Sequence, residues 1–190
     1  MFKKEVIQRL AASGLLALST LISAGCTEPI FQPGRLALKL PPAALGESVS
    51  LQQHLIVEWN GRIDELDAVL EIDPQRLNLI GLALGQRVFT LHYDGETLQS
   101  WRHPMFPSRL RDEDILEDIQ LTLWPVEAIQ RTLPTDWRIR EDGLQRTLFA
   151  DGNPVVVVDY SGQPRWNGKI ELSNLRYHYR LMIESVPNDP

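Results

Sequence analysis

One cysteine stands in the 190 residues, at position 26, so no disulfide can form within the chain. The fold has to stand on apolar burial alone. Basic residues are also scarce. Nineteen Lys and Arg face 25 Asp and Glu, a net charge of −6, with no basic stripe. Phosphate binding needs clustered cations, so a nucleic-acid partner is excluded. No apolar run approaches the ~20 residues of a membrane span. The four histidines, His54, His92, His103 and His178, show no metal spacing and read as structural or surface groups. Between Gly162 and Gly168-Lys169 lies one more residue than a phosphate loop allows, and Ile170 replaces its Ser or Thr. No G-x-S-x-G elbow is present. Glu65, Asp67 and Glu71 alternate with apolar residues, the pattern of a solvated strand face rather than of paired acids. An enzyme is therefore not expected, and no cofactor.

What is present begins at the N-terminus. Met1-Phe2-Lys3-Lys4 and Arg9 precede an apolar run from Leu10 to Ile22, which ends in Leu21-Ile22-Ser23-Ala24-Gly25-Cys26. A charged segment, a short apolar segment and a small-residue cut form a secretory signal. The cut resembles a bacterial lipobox, with Ser23 where Leu is commonest. That resemblance implies that Cys26 becomes the acylated first residue, its lipid being the only attached group. Two or more acyl chains hold a protein on a bilayer. Thr27, rather than Asp, implies the periplasmic face of the outer membrane. Removing residues 1–25 leaves 165 residues with 16 Lys and Arg against 24 Asp and Glu, a net charge of −8.

Residues 26–50 carry Pro29, Pro33, Gly34, Pro41, Pro42 and Gly46 and read as an extended tether. Residues 51–190 then read as one domain. Leu55, Val57 and Trp59 alternate with His54, Ile56 and Glu58, and Asn60-Gly61 signals a type I′ hairpin. Leu66, Ala68, Leu70 and Ile72 share one face of the next strand. Leu77, Leu79 and Ile80 begin another, which is expected to break at Gly81-Leu82-Ala83-Leu84-Gly85. Phe89, Leu91 and Tyr93 line one side of a fourth. Asp94-Gly95 turns into a fifth.

The period then changes. Asp112 is placed to cap a helix whose stripe is Ile115, Leu116, Ile119 and Leu123. Pro125 opens a second short helix, with Val126, Ile129 and Leu133 on its apolar face. Strands resume at Trp137 and continue through Leu144–Ala150, Val155–Tyr160, Lys169–Leu175 and Tyr177–Ser185. The order is a meander, a helical pair and a second meander. It predicts a mainly β, α+β fold: a single curved antiparallel sheet of about ten strands, an open half-barrel under a short helical lid. The apolar faces that must meet give a candidate cavity lining of Leu66, Leu70, Phe89, Leu91, Ile119, Leu123 and Ile129. The glycines at 81 and 85 bracket an apolar tip, Leu82 and Leu84, which is either a buried corner or an exposed contact.

The segment Leu79-Ile80-Gly81-Leu82-Ala83-Leu84-Gly85-Gln86-Arg87-Val88-Phe89-Thr90-Leu91 resembles strands of LolB, the outer-membrane lipoprotein receptor. So does the stretch from Pro125 onward: a helix closing on Leu133-Pro134, then Trp137 to Ile139, Gly143-Leu144 to Asp151-Gly152-Asn153, a run to Tyr160, and Lys169-Ile170-Glu171-Leu172. The chain is most similar to a family of LolB-like lipoproteins often encoded beside aryl-polyene synthesis genes. The resemblance implies a LolA/LolB-like half-barrel that moves an apolar or acylated cargo, with a periplasmic carrier protein as a possible partner. It implies that Leu84 matches the protruding leucine of LolB, with Ala83 in place of a proline. Residues alone leave two other classes open: an assembly lipoprotein that binds a protein partner, and an envelope enzyme.

Overall fold

A computed structural model describes residues 36–106 and 110–188. The described elements are β1 (Val49–Trp59), β2 (Arg62–Ile72), β3 (Leu77–Ala83), β4 (Gln86–Tyr93), β5 (Leu98–Arg102), α1 (Asp112–Leu123), α2 (Val126–Gln130), β6 (Trp137–Asp142), β7 (Gln145–Ala150), β8 (Asn153–Tyr160), β9 (Gly168–Asn174) and β10 (Tyr179–Pro187). All ten strands form one antiparallel sheet in the order β5-β4-β3-β2-β1-β10-β9-β8-β7-β6. The two meanders join where β1 pairs with β10, Leu55 opposite Ile183 and Val57 opposite Leu181. The fold is mainly β, an open sheet with few helices. No described helix is long and apolar enough to cross a membrane.

The sheet has to curl, because α1 is bonded to strands far apart in it. At its start, Asp112 accepts hydrogen bonds from Ser100 and Arg102 of β5. Midway, Asp118 accepts one from the Tyr179 hydroxyl of β10. Near its end, the Leu121 and Thr122 carbonyls accept from Arg146 of β7 and Tyr160 of β8. In a flat sheet β5 and β8 would lie about 34 Å apart at the usual strand spacing, well beyond the ~18 Å length of a 12-residue helix. The inner face therefore wraps the helix. Its apolar side chains, Leu51, Leu70, Leu79, Leu91, Val158 and Leu172 among them, are buried against Leu116, Leu121, Leu123 and Ile129.

Three expectations need correction. The tether reading fails from residue 36 onward. Leu38, Leu40 and Leu45 are 3–4% exposed and belong to the core. Gln120 holds this segment to α1 from both sides, accepting from the Leu40 amide at 3.1 Å and donating to the Leu40 carbonyl at 2.8 Å. The signal was the alternation Leu36-Ala37-Leu38-Lys39-Leu40, masked by the prolines on either side. Second, Asp112 is not the helix cap. Arg111 occupies that position without a side-chain cap bond, and Asp112 is the first helical residue. Third, β3 does not break at Gly81. The strand runs on to Ala83 with a register shift after Gly81. A Cβ at Gly81 would sit 3.2 Å from Leu66 Cδ1 and 3.3 Å from Phe89 Cβ, so glycine is there for close approach. Cys26, Thr27 and the signal segment lie outside the described residues.

Candidate functional site at the open end of the sheet

Strand direction divides the turns between two ends. The turns after β1, β3, β7 and β9, and the β5–α1 connection, fall at one end; those after β2, β4, β6 and β8 fall at the other. The second end is closed. Arg146, only 1% exposed, donates through Nη1 to the Leu121 carbonyl at 2.6 Å. Its Nη2 and Nε reach Glu141 Oε2 at 2.7 and 3.0 Å, and Arg165 donates to the other oxygen at 2.5 Å. Burial alone pushes the Glu141 carboxyl up, but the two guanidiniums outweigh it and hold it below the ordinary range. The Tyr160 hydroxyl, pushed up to about 12 by burial, stays a donor to Thr122. This network ties the last turn of α1 to β6, β7 and β8.

At the first end the helix covers the inner face less completely. Register places Leu66 of β2, Leu55 of β1 and Ile183 of β10 in one row, and Val57 and Leu181 in the next. Leu55, Val57, Leu66 and Leu181 are only half-buried, whereas Leu51, Leu70 and Leu172, nearer the closed end or further round the sheet, are 0–1% exposed. Trp59 and Tyr179 pair across β1 and β10 at the mouth. A cavity of about 550 Å³ opens between the β1–β2 and β9–β10 turns, lined by Trp59, Arg62, Ile63, Asn174, His178 and Tyr179 among others. A second, of about 330 Å³, lies beside α2 and β6 around Gln130, Arg138, Ile139, Arg140 and Phe149.

The seven side chains expected to line a cavity do not stay together. Leu70, Phe89, Leu91, Leu123 and Ile129 are 0–2% exposed and form part of the core beneath the lid. Leu66 and Ile119 alone remain partly exposed, toward the open end. None of the seven lines either cavity. Inward apolar positions read the same in sequence whether they face a void or one another. His54 pairs with Asp67 at 2.9 Å on the outer face and His92 with Asn78 at 2.7 Å. Among the described residues no group of three or more His, Cys, Asp or Glu could hold a metal.

Leu84 stands at the tip of the β3–β4 hairpin and is 100% exposed. Its φ is +51° and that of Gly85 +72°, the backbone of a type I′ turn. Two neighbouring turns have the same geometry: Asn60-Gly61 at +50° and +73°, and Asp151-Gly152 at +50° and +80°. There the first position holds Asn or Asp, which tolerate the left-handed region. Leucine does not, and packing returns nothing for it. Leu82, two residues earlier in β3, is half-buried.

Residues 50–187 match the family described as Protein of unknown function (DUF3261). The chain belongs to this family. No curated protein matches it. Among solved structures, the DUF3261 chain is similar to a putative outer membrane lipoprotein-sorting protein domain from Vibrio parahaemolyticus, at 10% identity over 74% of this chain and 83% of that one, with a TM-score of 0.42. A LolA superfamily protein from Nitrosomonas europaea is 9% identical over 80% and 88%, with a TM-score of 0.38. A DUF1329 family protein from Desulfovibrio piger is 12% identical over the same shares, with a TM-score of 0.37. Scores this low carry no function across.

Proposed function

We propose that this DUF3261 chain is a lipid-anchored envelope protein that takes an apolar, acyl-type cargo at the open end of its half-barrel and helps deliver it at the outer membrane. The observation that carries the reading is the half-buried strip of Leu55, Val57, Leu66 and Leu181 on the inner face. Burying a fully exposed side chain of this size is worth ~1.5–3 kcal/mol and these are already half-buried, so each has about half of that left to gain, and a chain of methylenes laid along the strip would be held without any polar partner. Ile115 and Ile119, partly buried against the core on α1, are the side chains from which the lid would complete the contact. Leu82 and Leu84 stand at the tip of β3 and β4, where an incoming acyl chain would first meet the protein.

The purified full chain should retain acyl species in its native mass spectrum, and Leu55→Ser with Leu181→Ser should lose them while still unfolding in one cooperative transition. Absence of any retained apolar species, with uptake of a fluorescent fatty acid no better than that of a control protein, would end the cargo reading. Acylation of Cys26 forms part of the same proposal. Replacing Cys26 by Ala should move the protein out of the outer-membrane fraction; unchanged partitioning would show that something else holds it there.

A further inference from the structure

We infer that the cargo is a single-chain amphiphile with an uncharged, hydrogen-bonding head, its chain on the inner strip and its head in the cavity of about 550 Å³ at the mouth. This deepens the proposed function and rests on it for the chain; the cavity supplies the head. Strip and cavity are continuous. The inward positions of β1 run Leu55, Val57, Trp59, and those of β10 run back through Leu181 to Tyr179. Trp59 and Tyr179 pair across the two strands and both line the cavity. A chain lying on Leu55, Val57 and Leu181 therefore ends against the two rings where the cavity begins. An indole and a phenol are each apolar in the body and polar at one point, which suits the junction of chain and head.

The charges around the cavity are matched within the protein. Arg180 lies 3.7 Å from Glu58 and 3.2 Å from Glu171, and Arg62 lies 3.9 Å from Asp64. No spare charge is left to select an ionic head. Asn60, Ser173 and His178 line the same cavity, and their side chains hydrogen-bond to no described residue. They offer donors and acceptors to a head of hydroxyl or ester oxygens. At its other end the strip stops at a polar pair. Gln53 Nε2 donates to Ser185 Oγ at 3.0 Å across the next inward row of β1 and β10, and both residues are buried. Beyond them Leu51 and Leu70 are packed. Between this pair and the rings lie the rows of Leu55 with Ile183 and of Val57 with Leu181. Each row takes ~6.8 Å of strand, so together they span ~14 Å. A methylene advances ~1.25 Å along an extended chain of ~1.52 Å bonds. The strip therefore covers about 11 methylenes.

The test uses the full chain in phosphatidylcholine nanodiscs, with native mass spectrometry reading what the protein carries relative to what stays in the disc. Three probes share a 12-carbon chain: monolauroylglycerol, laurate and dodecylammonium. Monolauroylglycerol should be preferred about fivefold over either ion, the equivalent of ~1 kcal/mol for one net hydrogen bond. Asn60→Gly with Ser173→Ala should remove that preference and leave the two ions carried as before. Glycine suits the φ of +50° that Asn60 holds, so the turn is kept. Carriage of monolauroylglycerol should not change in ~1 M salt, where charges are screened within ~3 Å. Among monoacylglycerols of increasing length, carriage should stay level to about 12 carbons. It should then fall about fourfold per added methylene, ~0.8 kcal/mol each, because the disc covers the extra carbons and the strip does not. Equal carriage of the three heads, preference for either ion, or a variant as selective as the parent would overturn the inference and leave the cargo reading standing. A level profile out to about 18 carbons would overturn the assigned chain length of about 11 methylenes. Carriage of none of the probes would end the cargo reading itself, and this inference with it.

Discussion

The two ends of this sheet are built from the same strands and solve opposite problems. At the closed end a buried arginine is fully partnered: Arg146 meets Glu141, the Leu121 carbonyl and the face of Tyr160, 5.7 Å away. At the open end a leucine has no packing at all and sits in a backbone conformation that disfavours it. One polar residue is inside and satisfied; one apolar residue is outside and strained. The contrast teaches that stability and exposure have been divided along the strand axis. The lid is bonded at both ends, but only at the closed end does it cover the inner face fully; at the open end part of that face stays apolar and uncovered.

The sharpest way to break the contrast is at the fastener. Arg146→Ala leaves Glu141 facing Arg165 alone in a partly buried site and frees the last turn of α1. The change takes the donor from the Leu121 carbonyl and from one oxygen of Glu141 and empties the space of a large buried side chain, which together cost about 2–4 kcal/mol, so the variant should show a correspondingly lower stability in urea unfolding. A loss below ~1 kcal/mol would show that the network does not hold the lid. Next in size is Gly81→Val. Its Cβ would press on Leu66 and Phe89, and overpacking of this kind costs about 1–3 kcal/mol. The same unfolding experiment would read it, and an unchanged midpoint would mean that β3 can move away from β2 and β4.

Acid should weaken the closed end specifically. The Glu141 carboxyl is held below its ordinary value of 4.5 when folded. Its stabilising contribution is therefore complete above that value and is lost as pH falls through the folded value. The stability difference between the parent and Glu141→Gln should be constant from neutral pH down to about 4.5 and shrink below it. A difference that instead grew on acidification would reverse the assignment.

The smallest effects belong to Leu84, and their sign matters more than their size. Leu84→Asn keeps the I′ turn and removes the left-handed penalty of ~1–2 kcal/mol, so it should unfold later than the parent. Leu84→Glu should change stability by no more than about 0.5 kcal/mol. Both should impair transfer of a fluorescent acyl lipid into vesicles. Destabilisation by either would place Leu84 in a packed environment, and the contrast between the ends would disappear.

Much of the architecture was legible before the structure. Alternation in 54–59, 65–72 and 89–93 placed inner faces correctly, and the i, i+4 stripe of Ile115, Ile119 and Leu123 placed α1. These patterns are local consequences of pleat and helical pitch. The candidate site was less legible. Leu84 was singled out by its glycines, yet those glycines have different work: Gly85 completes a turn and Gly81 makes room. Arg146 was missed, although the inward register Arg146, Leu148, Ala150 contained the clue, a cation in the parity of a buried face. The Leu36–Leu40 strip was missed because nearby prolines suggested a spacer.

By itself, the sequence determined which residues alternate, where the turns fall and that the strands must make one sheet with helices between its halves. These follow from short-range sterics and from the need to bury one face of every element. Only the tertiary structure decided which inward side chains pack on one another and which are left half-covered. That depends on where α1 lies across the sheet, and its position is set by bonds from β5, β7, β8 and β10. Apolar residues carry no mark of what they will face. Coverage is a property of the curl, which arises only when all ten strands are assembled around the helix.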